Sequence, residues 1–297
     1  MPAQPAKRRL RRQEADSDCL SIKMETLTAC NLCGSSNIEV VNEKSNICRC
    51  RNCDYIFDSP RPTLAEITQY YSRIDKYDSW LAREKARDAL WQRRLRLVRK
   101  RTCKKGKLLD VGTGIGQFLH FAKSYFEVSG TEVSQTAIRI AREKYGLNVS
   151  QGGLEDIDFK GQKFDVITLF HVLEHVPNVL LTIKKCRALL NTPGFLIIAV
   201  PNDVVHGAAK LPKISLENPD GEVHLSHFRD HVLERFLEKQ GFEVVQATLD
   251  PYFAVEGREK LKNLLRFYCH LLIKKCTGVN HYDCLWMTAK TVGDQSI

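Results

Sequence analysis

Three titratable residues crowd the stretch TLFHVLEHVPN, Thr168 to Asn178: His171, Glu174 and His175, in the order H-x-x-E-H. That order is the inverted zinc-protease signature, with a carboxylate between two imidazoles. Such a metal site needs an established helix to hold both rings on one face. Here FDVITLF, just before His171, has the pattern of a buried strand, and Pro177 follows His175 by two residues, leaving room for roughly one turn. The spacing is therefore read as a strand end and not as a catalytic metal site. His171 then lies where open α/β sheets bind ligands. It is a candidate general base, a role worth about 10²- to 10⁴-fold when the acceptor is a hydroxyl or an acidic C–H. Glu174 and His175 are expected to order the turn by hydrogen bonds.

Metal chemistry is expected elsewhere. Of eleven cysteines, Cys30 and Cys33 form CNLCG, and Cys50 and Cys53 form CRNCD, with sixteen residues between the pairs. Each C-x-x-C lets two thiolates from one tight turn grip the same ion, and two such knuckles complete a closed tetrahedral structural zinc site. Cys48 is too close to Cys50 for a knuckle and is read as a spare thiol. A module this short cannot build its own core, whereas structural zinc supplies roughly 10–16 kcal/mol of apparent folding free energy. The metal is expected to be the core of this module.

A third chemical feature is the glycine run in LLDVGTGIGQF, which places Gly112, Gly114 and Gly116 between a strand and a helix. Glycines there permit a tight turn and a close approach of backbone amides to a ligand. A dinucleotide fingerprint would need G-x-G-x-x-G, but position 117 is Gln. Glu132, ending the next strand in SGTEVS, is placed to accept hydrogen bonds from both hydroxyls of a ribose.

The elements that must carry these residues follow from pattern. Residues 1–24 are expected to form a disordered, polar, basic tail, and Met24 is an alternative start. Residues 25–62 form the cysteine module, closing on DSPRP, and 63–105 a helical connector. In the connector Thr63 and Glu66 read as a capping box, and a helix is expected from about Trp80 to Arg101. Trp91, Leu95 and Val98 share one face of that helix, while Arg93, Arg94, Arg96, Arg99, Lys100 and Arg101 crowd the rest. From residue 106 to the end, strand patterns (KLLDVG, FEVSGTE, LNVSQG, FDVITLF, GFLIIAV) alternate with helical ones, a doubly wound α/β sheet. A basic helix is expected near 258–275, with packing against its own sheet as its first role and an acceptor lid, a dimer contact or a membrane-surface helix as the alternatives. Net charge is +10, but three basic segments (1–12, 83–107 and 257–276) carry +20, so the remaining body is acidic. Apolar content of 43% without a long apolar run excludes a disordered chain and a transmembrane segment, and no secretory signal follows the basic N-terminus. A cytoplasmic location is expected.

Taken in order, Asp110–Gly116, Glu132, GGLEDIDF and FDVITLFHVLEHVPN resemble class I S-adenosylmethionine-dependent methyltransferases, especially ubiquinone-biosynthesis-like and sugar- or antibiotic-tailoring members. The resemblance covers about residues 106–250. It implies a seven-stranded sheet of order 3-2-1-4-5-7-6 with strand seven antiparallel, preceded by a zinc ribbon as in some sugar-modifying relatives. It implies S-adenosylmethionine as cofactor. Asp110 would steady its amino end, Gly112, Thr113, Gly114 and Gly116 would lie against its methionine and ribose, and Glu132 would hold the ribose diol. Leu154 and Glu155 would edge the adenine, and Phe170 with His171 would border the methyl donor. Relatives often carry an Asp against the adenine amino group where this chain has Gly153. A family-like H-x-x-x-F approach to the last helix makes His224 a second candidate base. The implied reaction is methyl transfer to O or C of a small-molecule acceptor: a sugar, nucleotide-sugar, lipid-linked or polyketide-like compound, with a phosphate group as one option. Two other readings stay open: an RNA methyltransferase using the ribbon and basic helices, and a non-catalytic zinc adaptor. Against nucleic acid, no D/N-P-P-Y follows strand four and no Pro-Cys nucleophile is present. Oligomeric state is not legible.

Overall fold

A computed structural model describes residues 22–102, 105–202, 204, 207–217, 221–251 and 260–293. Residues 1–21 of the basic tail and the first residues of the helix expected near 258 lie outside them, whereas Met24, placed at the end of that tail, instead opens a strand paired with Pro62. The N-terminal module has strands β1 (Met24–Glu25), β2 (Ile38–Asn42), β3 (Ile47–Cys50), β4 (Ile56–Asp58) and β5 (Arg61–Pro62). Helix α1 (Leu64–Tyr71) follows. Its N-cap Thr63 makes no side-chain cap hydrogen bond, and Glu66 Oε1 accepts from the Lys23 amide at 3.3 Å. The expected capping box is therefore absent. The long connector helix is broken as well: α2 (Asp78–Ala82) and α3 (Glu84–Arg101) meet at Arg83.

The sheet is built from β6 (Lys107–Val111), α4 (Gln117–Ala122), β7 (Glu127–Glu132), α5 (Gln135–Tyr145) and β8 (Val149–Gln151). It continues through β9 (Phe164–Phe170), α6 (Val179–Leu189) and β10 (Leu190–Pro201). After the two-residue β11 (Ser226–His227) come α7 (Asp230–Lys239), β12 (Phe242–Leu249), α8 (Lys260–Thr277) and β13 (Cys284–Thr291). Seven strands lie in the order β8-β7-β6-β9-β10-β13-β12, with β13 antiparallel to both neighbours. Counted as strands one to seven, this is the expected 3-2-1-4-5-7-6. Successive strand side chains face opposite ways. Leu108, Val166, Ile197 and Trp286 pack with Leu95 and Val98 of α3 and with α4 and α5. Leu109, Ile167, Ile198 and Met287 pack with α6 and α7.

The cysteine module is sewn into that second layer. Strand β11 pairs antiparallel with β4, extending β2-β3-β4 to four strands. Tyr55 hydroxyl bonds Ser226, His227 Nε2 lies 2.8 Å from Asp58 Oδ1, and Asn31 Nδ2 and an Arg61 guanidinium nitrogen donate to the Pro177 carbonyl at 2.8 and 2.7 Å. Tyr55 and Phe57 are fully buried and share a core with Phe228 and the sheet. The expectation that metal alone would be this module's core needs correcting, because the module borrows apolar surface from the larger sheet.

Candidate functional site

The glycine loop and its acidic partner form one cradle. Gly112, Gly114 and Gly116 all have left-handed φ (+64°, +54° and +87°), a region that penalises any Cβ. A Cβ on Gly112 would stand 2.6 Å from Val172 Cγ2. Glu132, at the end of β7, accepts from the Gly114 amide at 2.8 Å through one oxygen and from the Val133 and Ser134 amides at 2.9 Å through the other. Burial raises its pKa, partly offset by these amides. The Thr113 amide donates to the Thr131 carbonyl at 2.9 Å, binding the loop to β7. Asp110 accepts from Thr168 Oγ1 at 2.6 Å, and burial pushes its pKa up to about 7.

Pattern reading missed the cover of this cradle. Trp80 of α2 lies over the loop, its ring 3.1 Å from where a Gly114 Cβ would be, with the Arg87 guanidinium 4.0 Å from the ring centroid. Ser134 and Thr136 hydroxyls donate to the Tyr71 and Ser72 carbonyls at 2.7 and 3.0 Å, tying the connector to the end of β7. Gln117, the residue that spoils a dinucleotide fingerprint, has a job here. Its side chain accepts from Arg87 and donates to Asp88, both at 3.1 Å, clasping α3 onto the loop.

The other expected cofactor residues are placed differently. Leu154 is buried in the core, and Glu155 accepts from the Thr182 hydroxyl of α6. The Phe170 ring lies among aromatics, 4.8 Å from Phe118 and 5.5 Å from Trp286.

At the carboxyl end of β9 the chain turns sharply. His171 has φ +57°, a left-handed conformation rare for a residue with a Cβ, and its amide bonds the Ala199 carbonyl of β10 at 2.8 Å. Non-glycine residues held this way cluster at functional sites. Residues 171–178 form no helix, so the H-x-x-E-H order is confirmed as a strand end. His171 Nδ1 is 3.2 Å from Glu174 Oε1, and Nε2 is 3.6 Å from Asp250 Oδ2. Asp250 is fully buried and forms a two-point ion pair with Arg94. Arg94 is only 1% exposed, which sets it apart from the basic residues of α3 with which its spacing groups it. Burial alone would lower the His171 pKa, but the neighbouring Asp250 and Glu174 carboxylates outweigh it and raise the value. Burial alone would raise Asp250 and Glu174, yet Arg94 and His175 respectively, each with His171, hold them below their ordinary range.

His224 joins the same cluster. Its ring centroid lies 5.0 Å from that of His175, and its Nε2 is 3.0 Å from Glu222 Oε2. His175 Nδ1 donates to the Val223 carbonyl at 2.7 Å, while the Glu174 carbonyl accepts from the Leu225 amide, also at 2.7 Å. Thus Glu174 and His175 do order the turn, and they connect the two candidate bases through one set of contacts.

In the module, the four sulfurs of Cys30, Cys33, Cys50 and Cys53 lie within 4.8 Å of one another. Cys30 to Cys53 is 3.7 Å and Cys33 to Cys50 is 3.6 Å. A tetrahedral zinc with Zn–S of ~2.3 Å requires sulfur–sulfur edges of about 3.8 Å, so the donor set fits that ion. Cys48 points away, its sulfur 3.6 Å from the Ser59 carbonyl.

Comparison with known proteins follows this geometry. A family model described as a methyltransferase domain matches residues 82–247. The ubiquinone biosynthesis O-methyltransferase of Coxiella burnetii is 33% identical over 116 residues, covering 37% of this chain and 50% of that protein. The protein of the same name from Actinobacillus pleuropneumoniae is 36% identical over 107 residues, covering 32% and 46%. The chain thus spans about half the length of the curated relatives it matches. Among solved structures, an S-adenosylmethionine-dependent methyltransferase of Mesorhizobium loti superposes with TM-score 0.52 at 13% identity, covering 68% of this chain and 97% of that one. At such identity the likeness speaks for the fold.

Proposed function

The chain belongs to the methyltransferase-domain family, and from that premise we propose that it moves the methyl group of S-adenosylmethionine to an oxygen or carbon of a small-molecule acceptor. The observation that carries this reading is His171. It stands at the carboxyl end of β9 in a strained conformation, between two buried carboxylates. S-adenosylmethionine supplies a methyl carbon activated on a sulfonium, with a neutral leaving group.

The chain's own work is then placement and proton handling. Gly112, Thr113, Gly114 and Gly116 offer a turn that a ligand can approach closely, Glu132 offers a carboxylate for a ribose diol, and Asp110 offers a negative charge near the loop. Holding reactants in line contributes roughly 7–11 kcal/mol. His171 Nδ1–H donates to Glu174, which leaves Nε2 to take the acceptor's proton, with Asp250 stabilising the imidazolium. His224, on the far side of His175, is the second base candidate. The four-cysteine site is proposed to hold a structural zinc, on the fit of its sulfur spacing.

The test is production of S-adenosylhomocysteine with hydroxylated and acidic C–H small molecules, comparing the intact protein with His171→Ala. Turnover that disappears in the variant supports the reading. Cofactor binding with turnover only on RNA, or turnover indifferent to His171, overturns it.

A further inference from the structure

Helix α8 has two apolar faces. Leu264, Phe267 and Leu271 are half-buried, and the Phe267 ring meets Tyr282 at 5.5 Å, so one face covers the sheet edge as expected. The opposite face is open. Leu261 (66% exposed), Leu265, Tyr268 and Leu272 (62%) are all solvent-facing, with Ile273 beside them. Their spacing of four, three and four residues makes a continuous stripe along the helix. Nothing in packing the sheet calls for this second stripe, and contiguous exposed apolar surface of this kind marks an interaction site.

Charge identifies the occupant. Between Lys260 and Thr277 the helix has five Lys or Arg residues and no Asp or Glu. Arg266 and Lys274 also pin it to the body, through Asp283 at 2.8 Å and Asp230 at 2.7 Å. Lys262 and Lys275 are exposed. A second copy docked helix to helix through α8 would bring like charges alongside the stripe, whereas an anionic lipid surface accepts the apolar side chains and the basic flanks together. We propose that α8 is an in-plane docking helix for an anionic membrane surface. No helix among the described residues is long and apolar enough to cross a membrane, so the attachment is peripheral. The consequence for the site is positional. Asp283 and Tyr282 lie beside the carboxyl end of β10, where the Asn202 amide bonds the Asp283 carbonyl at 2.7 Å. Helix α8 is thereby tied to the carboxyl end of the sheet, the end at which His171 stands. The docking stands apart from the transfer reading, and its test needs no turnover.

Two exposed thiols, Cys269 and Cys276, lie on the outer side of the same helix and serve as reporters. The full-length protein is floated with vesicles of phosphatidylcholine, with and without phosphatidylglycerol, at low and high salt. The expected result is flotation with the anionic vesicles only, weakened by salt. It comes with protection of Cys269 and Cys276 from a charged, membrane-impermeant maleimide. Leu265→Glu with Leu272→Glu, both at exposed positions, should weaken binding by about tenfold or more, and Lys275→Glu by roughly fivefold or more. Three results would each overturn the proposal: no flotation with anionic vesicles at low salt, flotation unchanged by the double substitution, or a dimer that the double substitution dissociates in the absence of any vesicle binding.

Discussion

The cysteine module and the crevice at the end of β9 both gather ligand-type side chains, by opposite routes. Cys30, Cys33, Cys50 and Cys53 come from two tight turns close in sequence, and their sulfurs already stand at tetrahedral spacing. The crevice cluster is drawn from α3 (Arg94), the turn after β9 (His171, Glu174, His175), the approach to β11 (His224) and the end of β12 (Asp250). In the first region charge is expected to be neutralised by a metal, and in the second by the residues themselves. Local spacing is enough to build the former. The latter exists only because a sheet brings distant segments to one edge. The two regions meet at β11, whose pairing with β4 ties the module to the segment carrying His224.

Breaking the module should have the largest effect. Cys50→Ser, or chelation, is expected to take zinc from one equivalent to none and remove much of the ~10–16 kcal/mol that such an ion supplies. Metal analysis and thermal melting check this, and a native melt without metal would contradict it. Because β4 carries β11, methyl transfer should fall with it.

Breaking the crevice should act on chemistry. His171→Ala is expected to lower kcat by about 10²- to 10⁴-fold, with the Kd for S-adenosylmethionine within about twofold. Asp250→Asn leaves Arg94 buried beside a neutral partner, a change that costs about 3–5 kcal/mol. It also removes a carboxylate that raises the His171 pKa, so the ascending limb of kcat/KM against pH should move to lower pH. A rate loss without that displacement would make Asp250 merely structural.

A smaller effect concerns the cradle. With the Asp110 pKa pushed up to about 7, the carboxyl is neutral below that pH and charged above it. A cationic amino group prefers the charged form, so cofactor affinity should rise with pH up to about 7 and level off beyond it, about tenfold per unit below 7. The sign for stability is opposite. Without cofactor, the raised pKa contributes stability below the ordinary Asp range that is lost as pH rises through 7. Calorimetry across pH with Asp110→Asn as control checks the first statement, since the variant should show a flat profile. The smallest effect should come from Cys48→Ala, which is expected to leave zinc stoichiometry at one and shift stability by about 1 kcal/mol.

Much of this was legible in residues alone. The strand and helix patterns from Lys107 onward pointed to a doubly wound α/β sheet, and the resemblance to class I methyltransferases implied the strand order that the sheet takes. The reading of H-x-x-E-H as a strand end held, because Pro177 and a buried strand leave no helix for the histidines. Arg94 was grouped with the other basic residues that crowd α3, since nothing in a run of Arg and Lys marks the member whose partner, Asp250, follows β12. The Thr63–Glu66 capping box also failed, with Glu66 taken up by the Lys23 amide. Trp80 had no signal at all, because its role is to lie over a loop that only folding brings beneath it.

By itself the sequence determined what short-range geometry can specify: the two cysteine knuckles, the left-handed glycine turns, the acid ending β7 and the alternation of strands and helices. These depend on a few adjacent dihedrals and on periodicity. Only the tertiary structure decided which charges are buried together. The desolvation of Asp250 and Glu174, the inward turn of Arg94, the raised pKa of His171 and the second, open face of α8 all depend on which surfaces the sheet brings together and which it leaves in water.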